Sequence, residues 1–315
     1  MKAIMYHYVR HADEQYKHFK FLHLHDFRKQ LDFFQKQYTI LHPNELLQST
    51  NDNSLKTGVI LTFDDGLKDH YVYVLPELKS RGLSGVFYIS TGIYQTGKIL
   101  DVHRMHLLLG RFGGDIILEY LRDEVTDDML SHAHVEEFKR LPYSMHYTNE
   151  STKLVKKMMN YFISYDYRED VIDKMMLYFF KDEAQLITEF YMTQDEISQM
   201  QNEGMIIGSH TKTHPVLSKM NEQEQRTEIS DSFAYLDGVT GGLLYRTFCY
   251  PYGGFHSFTN KTEEILKKEN CKYSFNVESR DITIHDLQTR PQALPRFDCN
   301  EFPFGKCYEY LLDIK

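Results

Sequence analysis

The chain has 315 residues, 42% of them hydrophobic and 26% charged, which is ordinary for a soluble globular protein. A formal net charge of -9 argues against a nucleic-acid backbone as the main ligand, because phosphate binding needs a basic footprint. The length fits one barrel of about 200 to 250 residues with an insertion better than two equal domains.

Met1 to Met5 runs directly into a strand read over residues 3 to 9, without the long apolar stretch of a secretory signal. No later run approaches membrane-spanning length, so a cytoplasmic protein is expected. His7 falls in this first strand, where a lone histidine is ordinarily a satisfied core residue. Phe27, Leu31 and Phe34 recur at helical spacing and predict a helix over His25 to Gln37. A short strand near Thr39 to Leu41 and a helix after Pro43 follow.

Gly58-Val59-Ile60-Leu61 is apolar and partly β-branched, and it runs into Thr62-Phe63-Asp64-Asp65-Gly66. Such a run stopped by Asp and Gly reads as a buried strand with two carboxylates at its tip. Adjacent carboxylates repel, so either one is neutralised or a cation holds both ionised. Taken alone, the pair fits a cap for the helix starting near Leu67 as well as it fits a site. A helix from Lys68 to Arg81 and a strand from Gly85 to Ile89 continue a βα alternation, the signature of a parallel sheet or barrel.

Residues 101 to 192 break the alternation. They carry helical runs at Asp115 to Arg122, Lys153 to Ser164 and Asp170 to Phe180, rich in Met, Tyr and Phe. They predict a helical insertion, a lid or cap over the C-terminal rim of a barrel. Asp101-Val102-His103-Arg104 opens it; His103 is a candidate substrate contact, with a structural role the plainer reading.

The alternation resumes where Thr193 and Glu196 form a capping box ahead of a helix ending at Gly204. The strand Met205-Ile206-Ile207 then delivers Gly208-Ser209-His210-Thr211-Lys212-Thr213-His214-Pro215. Histidines four apart share one face of a helical turn, and two imidazoles with one carboxylate make a facial triad that leaves positions on a zinc-like ion open. A zinc-protease motif would need Glu after the first histidine, where this chain has Thr211. Asn221 with Glu224 starts a helix to about Gly238. Strands near Thr247 to Tyr250 and Tyr273 to Val277 flank a helix from about Thr262 to Glu269; residues 278 to 292 read as a loop and Glu301 to Lys315 as a closing amphipathic helix. Cys249, Cys271, Cys299 and Cys307 lack paired spacing, so neither a disulfide framework nor a zinc knuckle is indicated.

The pair TFDDG and SHTKTH, residues 62–66 and 209–214, resembles the first two motifs of the polysaccharide deacetylases, carbohydrate esterase family four, also called the NodB-homology family. The resemblance implies a distorted parallel (β/α) barrel. It further implies one divalent ion on Asp65, His210 and His214, with Asp64 as general base. The third motif is matched in part by Phe248-Cys249-Tyr250-Pro251-Tyr252-Gly253, which would place Pro251 and Tyr252 at the substrate, the Tyr252 N–H helping to form an oxyanion hole. The family's Arg in this motif is replaced by Cys249, so the group orienting the base must come from elsewhere, and Arg296 in Leu294-Pro295-Arg296 is the candidate. No late motif supplies a histidine acid. Met5-Tyr6-His7-Tyr8 is similar to the arrangement in the subset of poly-N-acetylglucosamine deacetylases whose acid lies near the start of the domain, which implies that His7 protonates the leaving amine.

The implied reaction is hydrolytic removal of an N-acetyl group from an amino sugar, glycan-, nucleotide- or lipid-linked, in the making of a surface polysaccharide or glycolipid precursor. Zinc is the expected ion, though an N/O site also accepts cobalt, nickel or iron. Two alternatives stay open: an N-deformylase of a lipid-linked amino sugar, and an inactive carbohydrate-binding homologue, which Cys249 in place of Arg keeps alive. No nucleic-acid partner is expected, and the insertion could touch a membrane surface peripherally.

Overall fold

The structure, a computed structural model, describes residues 1–52, 54–130 and 148–309. Seven strands share one sheet: β1 Lys2–Tyr6, β2 Val59–Phe63, β3 Val86–Ile89, β4 Ile206–Ser209, β5 Thr247–Cys249, β6 Tyr273–Phe275 and β7 Phe297–Asp298. Their order is β6-β5-β4-β3-β2-β1-β7, and every pairing is parallel. All five residues of β2 are buried, as expected of a parallel strand covered on both faces. Register brings the C-terminal tips together, with Tyr6 opposite Phe63, Phe63 opposite Phe87 and Ile89 opposite Ser209. Beneath the tips the ring of Phe63 stacks on those of Phe87 and Tyr6, at centroid distances of 4.6 and 5.1 Å.

The segment before β7 closes the curl. Leu294 bridges Phe275 of β6, donating its N–H to Ser274 O at 2.8 Å and accepting from Asn276 N–H at 2.9 Å. Three residues later Phe297 pairs with Ile4 of β1. One short stretch thus touches both edges of the sheet, which gives the distorted parallel (β/α) barrel that the alternation implies.

Both capping boxes form, Thr193 with Glu196 ahead of Gln194–Asn202 and Asn221 with Glu224 ahead of Glu222–Thr240. Five expectations are corrected. The first strand stops at Tyr6, so His7 lies just past it rather than within it. The helix expected over Lys68 to Arg81 runs unbroken from Lys68 to Ser80, but it is π-helical rather than α-helical over His70–Val74 before the α-helix Leu75–Ser80. Pro76 accounts for this: it has no N–H for an α-helical bond to Val72 and its ring crowds that carbonyl, so the turn widens and Leu75 N–H bonds to His70 O. The loop expected over 278 to 292 contains the helix Ile284–Thr289, started by a Thr283–Asp286 capping box too short to show periodicity. The closing helix over Glu301 to Lys315 is absent among the described residues, where Glu301 ends a 3-10 turn and Tyr308–Glu309 is extended. Pro303 lacks a donor and Phe304 has φ 64°, neither of which suits an α-helix; residues 310–315 of that expectation lie outside the described residues. The strand expected near Thr39 is a single bridge from Ile40 to Val59.

The chain divides into two compact units, the barrel unit of Met1–His11, Phe21–Lys98 and Leu186–Cys307, and a second of Ala12–Lys20, Ile99–Gln185 and Tyr308–Lys315. The second unit holds the helices Asp101–Glu124, Thr148–Lys157 and Tyr165–Phe179. Its long helix Asp101–Glu124 is broken at Gly113, where φ is 78°. Arg104, buried on that helix, donates to both carboxylate oxygens of Glu183 and to Asp173 and Asp101. Among the described residues no helix is long and apolar enough to cross a membrane.

Candidate active site

The tip of β2 turns sharply. Asp65 has φ 81° and Gly66 φ 71°, both left-handed, so consecutive carboxylates face different partners although both are buried.

Asp64 faces an internal cation. Arg296 Nη1 donates to its Oδ1 at 2.8 Å and Nη2 to its Oδ2 at 2.7 Å, the two-point geometry that favours Arg over Lys. Nη1 also donates to Thr62 Oγ1 at 3.0 Å, and Nη2 to Cys249 Sγ at 2.8 Å. The Cys249 thiol in turn donates to Asp64 Oδ2 at 3.4 Å. Burial by itself would raise the Asp64 pKa. The charge and hydrogen bonds of Arg296, with smaller help from His210 and His7, more than offset it and hold the carboxyl at about 2. Burial pushes the Cys249 thiol up, which keeps it protonated and able to donate.

Asp65 faces imidazoles. Its Oδ1 lies 3.4 Å from His210 Nε2 and 3.6 Å from His214 Nε2, and its Oδ2 lies 4.0 Å from His7 Nε2. His210 Nδ1 donates to the Cys249 carbonyl at 2.7 Å; a carbonyl only accepts, so in the neutral ring the proton sits on Nδ1 and the lone pair of Nε2 points at Asp65. The two histidines do not meet by helical spacing, as the sequence suggested. Thr211 has φ 65° and His214 φ 60°, so the chain coils back on itself, and His214 N–H is caught by Thr211 Oγ1 at 2.9 Å. The rings meet edge to face at 4.8 Å, and Tyr252, itself at φ 63° and half exposed, sets its ring 4.9 Å from that of His214.

A divalent ion fits these donors. Three ligands of a tetrahedral ion at 2.0 to 2.2 Å stand about 3.4 Å from one another. The donor atoms of Asp65, His210 and His214 lie within 4.8 Å of one another, and two of their separations match that edge closely. A second group, Asp64 with His210 and Cys249, is equally compact, but the Arg296 guanidinium already lies on its carboxylate and sulfur and would repel a cation.

The structure therefore brings together His7, Asp64, Asp65, His210, His214, Tyr252 and Arg296, with Pro251 buried beside Tyr252. His103 belongs to the second unit, where it is buried on the long helix. Two residues escaped the sequence reading. Glu228 holds the histidine turn, accepting from Lys212 N–H at 2.9 Å, Thr213 N–H at 2.8 Å and Thr213 Oγ1 at 2.7 Å. Its signal was a charge among Gln225, Ile229, Ser232 and Leu236 on the buried face of Glu222–Thr240. Gly92 was the other: its N–H donates to Lys212 O at 2.7 Å, and a Cβ there would stand 2.6 Å from that oxygen.

In sequence, residues 51–275 match the family described as polysaccharide deacetylase. No curated protein matches the chain. Among solved structures the fold is similar to that of the Streptococcus pyogenes deacetylase PplD in complex with acetate, with a TM-score of 0.59 and 17% identity over 95% of this chain and 91% of that one. It is also similar to IcaB from Ammonifex degensii, at 0.51 and 18% over 87% and 82%. A third is a de-N-acetylase from Aggregatibacter actinomycetemcomitans, at 0.52 and 14% over 99% and 98%. At these identities the structural likeness shows the fold.

Proposed function

The chain belongs to the polysaccharide deacetylase family, and on that premise we propose that it is a metal-dependent hydrolase removing the N-acetyl group from an amino sugar of a surface polysaccharide or glycolipid precursor. The observation that carries this reading is the division of labour at the strand tip, Asp65 turned to His210 and His214 while Arg296 locks Asp64.

Asp65, His210 and His214 would hold a divalent ion, which would supply Lewis acidity to the amide carbonyl and to the attacking water. Asp64, ionised at neutral pH, takes the proton of the water that closes on the carbonyl carbon. Arg296 is a positioning residue: with both carboxylate oxygens held, Asp64 cannot rotate away, and Oδ1 keeps a second lone pair for the incoming proton while Oδ2 accepts from both Arg296 and Cys249. The Tyr252 N–H stabilises the oxygen that gains charge, and Pro251 fixes the turn that presents it. His7, across Asp65, gives its proton to the amine nitrogen as the C–N bond breaks. The products are acetate and a free amino sugar. Arg296 at Asp64 also speaks against the inactive-homologue reading, since it supplies the charge that Cys249 lacks.

The test is acyl release from N-acetylated and N-formylated glucosamine oligomers and their lipid-linked forms by protein loaded with zinc, cobalt or nickel. Acetate release that stops with a chelator is expected. Formate release without acetate would favour the deformylase reading, and neither product from metal-loaded protein would end the hydrolase reading.

A further inference from the structure

β1 ends at Tyr6, so the peptide that follows has left the ladder and its carbonyls need other partners. The carbonyl of His7 lies 2.8 Å from His70 Nε2. Because a carbonyl only accepts, Nε2 carries the proton and donates. We propose that His70 is a positioning residue for His7, its Nε2–H gripping the His7 carbonyl and so fixing where the His7 imidazole stands beside Asp65. The inference rests on the reading of His7 as the proton donor.

Three further observations support it. His70 is fully buried against the stacked rings of Phe63 and Phe87, meeting them at a steep angle with centroids 5.5 and 5.7 Å away, and burial pushes its pKa down, so the ring stays neutral with a single N–H to give. Its Nδ1 has no hydrogen-bond partner among the described residues, a cost that a phenylalanine or leucine in the same space would avoid. A polar ring kept at that cost is retained for its other nitrogen. Third, the same turn grips the chain again: Asp69 accepts from Arg10 Nε and Nη2, both at 2.8 Å, so residues 7 and 10 are tied to neighbouring residues of one turn. The π-helical turn forced by Pro76 starts at His70.

The experiment compares wild type, His7→Ala, His70→Phe, His70→Gln and His70→Asn on an N-acetylglucosamine oligomer and on an activated aryl acetate, with melting temperature and metal content measured for each. A phenoxide leaves with little need of protonation whereas an amine does not, so a defect in the proton donor slows amide hydrolysis selectively. His70→Phe is expected to lower kcat on the amide about tenfold or more while ester hydrolysis falls less than about threefold. His70→Gln, whose amide nitrogen reaches the place of Nε2, should recover most of the amide rate, and His70→Asn, which places its nitrogen at the Nδ1 position, should not. Equal loss on both substrates, an unchanged amide rate in His70→Phe, or equal rates in the Gln and Asn variants would overturn the proposal. If His70→Phe does not fold, the Gln and Asn pair decides alone. A His7→Ala enzyme with no amide selectivity would instead remove the reading of His7, and is distinguishable because it concerns a different variant.

Discussion

Asp64 and Asp65 are neighbours in sequence, equally buried and of one chemical type, yet their surroundings are opposites. Asp64 carries its counter-charge within the protein, a guanidinium fixed by Thr62, Cys249 and both carboxylate oxygens. Asp65 is surrounded by imidazoles, which are neutral or charged according to their protons and offer lone pairs when neutral. The left-handed turn at Asp65 makes the difference, because it rotates one side chain away from the closing segment and toward the histidine turn. A doublet of like charges is thereby divided into a group able to handle a proton and a group able to hold an ion.

The largest effects should come from swapping these jobs. Asp65→Ala and His214→Ala are expected to lose bound metal and turnover together, while Asp64→Asn keeps the metal and loses about 100- to 10,000-fold in kcat. Metal content by mass spectrometry beside kcat separates the two; equal metal loss in all three variants would erase the distinction.

Stability should divide the same way. Arg296→Gln leaves a buried carboxylate without its cation and Asp64→Asn leaves a buried cation without its carboxylate, each costing about 3 to 5 kcal/mol. The double variant should cost clearly less than their sum, and Asp65→Asn much less than either. Chemical denaturation of the four proteins measures this.

Acid should act on one carboxylate in particular. The Asp64 pKa is about 2 when folded against an ordinary 3.8, so its contribution is fully present above about pH 4 and is lost as pH falls toward about 2. It amounts to roughly 2 kcal/mol. Denaturation midpoints between pH 5 and pH 2 should fall more steeply in wild type than in Asp64→Asn. The smallest expected effect is that of Cys249→Ser, whose hydroxyl can still accept from Arg296 and donate to Asp64, and should change kcat less than about threefold.

Much of this is legible in the amino-acid sequence. The β2 run, the two capping boxes and the resumption of alternation after residue 193 mark the barrel because each is a local signal. Two histidines four apart and a pair of carboxylates at strand tips point to a metal, but choosing Asp65 over Asp64 as the partner of His210 and His214 rests on the resemblance of TFDDG and SHTKTH to the family's motifs. What escaped depends on geometry the letters do not carry. Left-handed Thr211 and His214 look in sequence like any non-glycine residues, so the histidine pair suggested a helix. Pro76 marks a disturbance but not that the turn before it widens to a π-helix. The grip of His70 on His7 joins residues 63 apart through a main-chain carbonyl, and no side-chain pattern reports it.

The segment that closes the barrel also sets an order in time. Asp64 and Arg296 are separated by 232 residues, and the guanidinium reaches the carboxylate only when Leu294 and Phe297 have docked on β6 and β1. Asp65, His210 and His214 belong to strand tips that emerge from the ribosome earlier. All three are therefore synthesised while Asp64 still lacks its counter-charge. Closing so long a loop is slow relative to pairing neighbouring strands. During synthesis, the arrival of β7 is thus the step that brings Asp64 its cation.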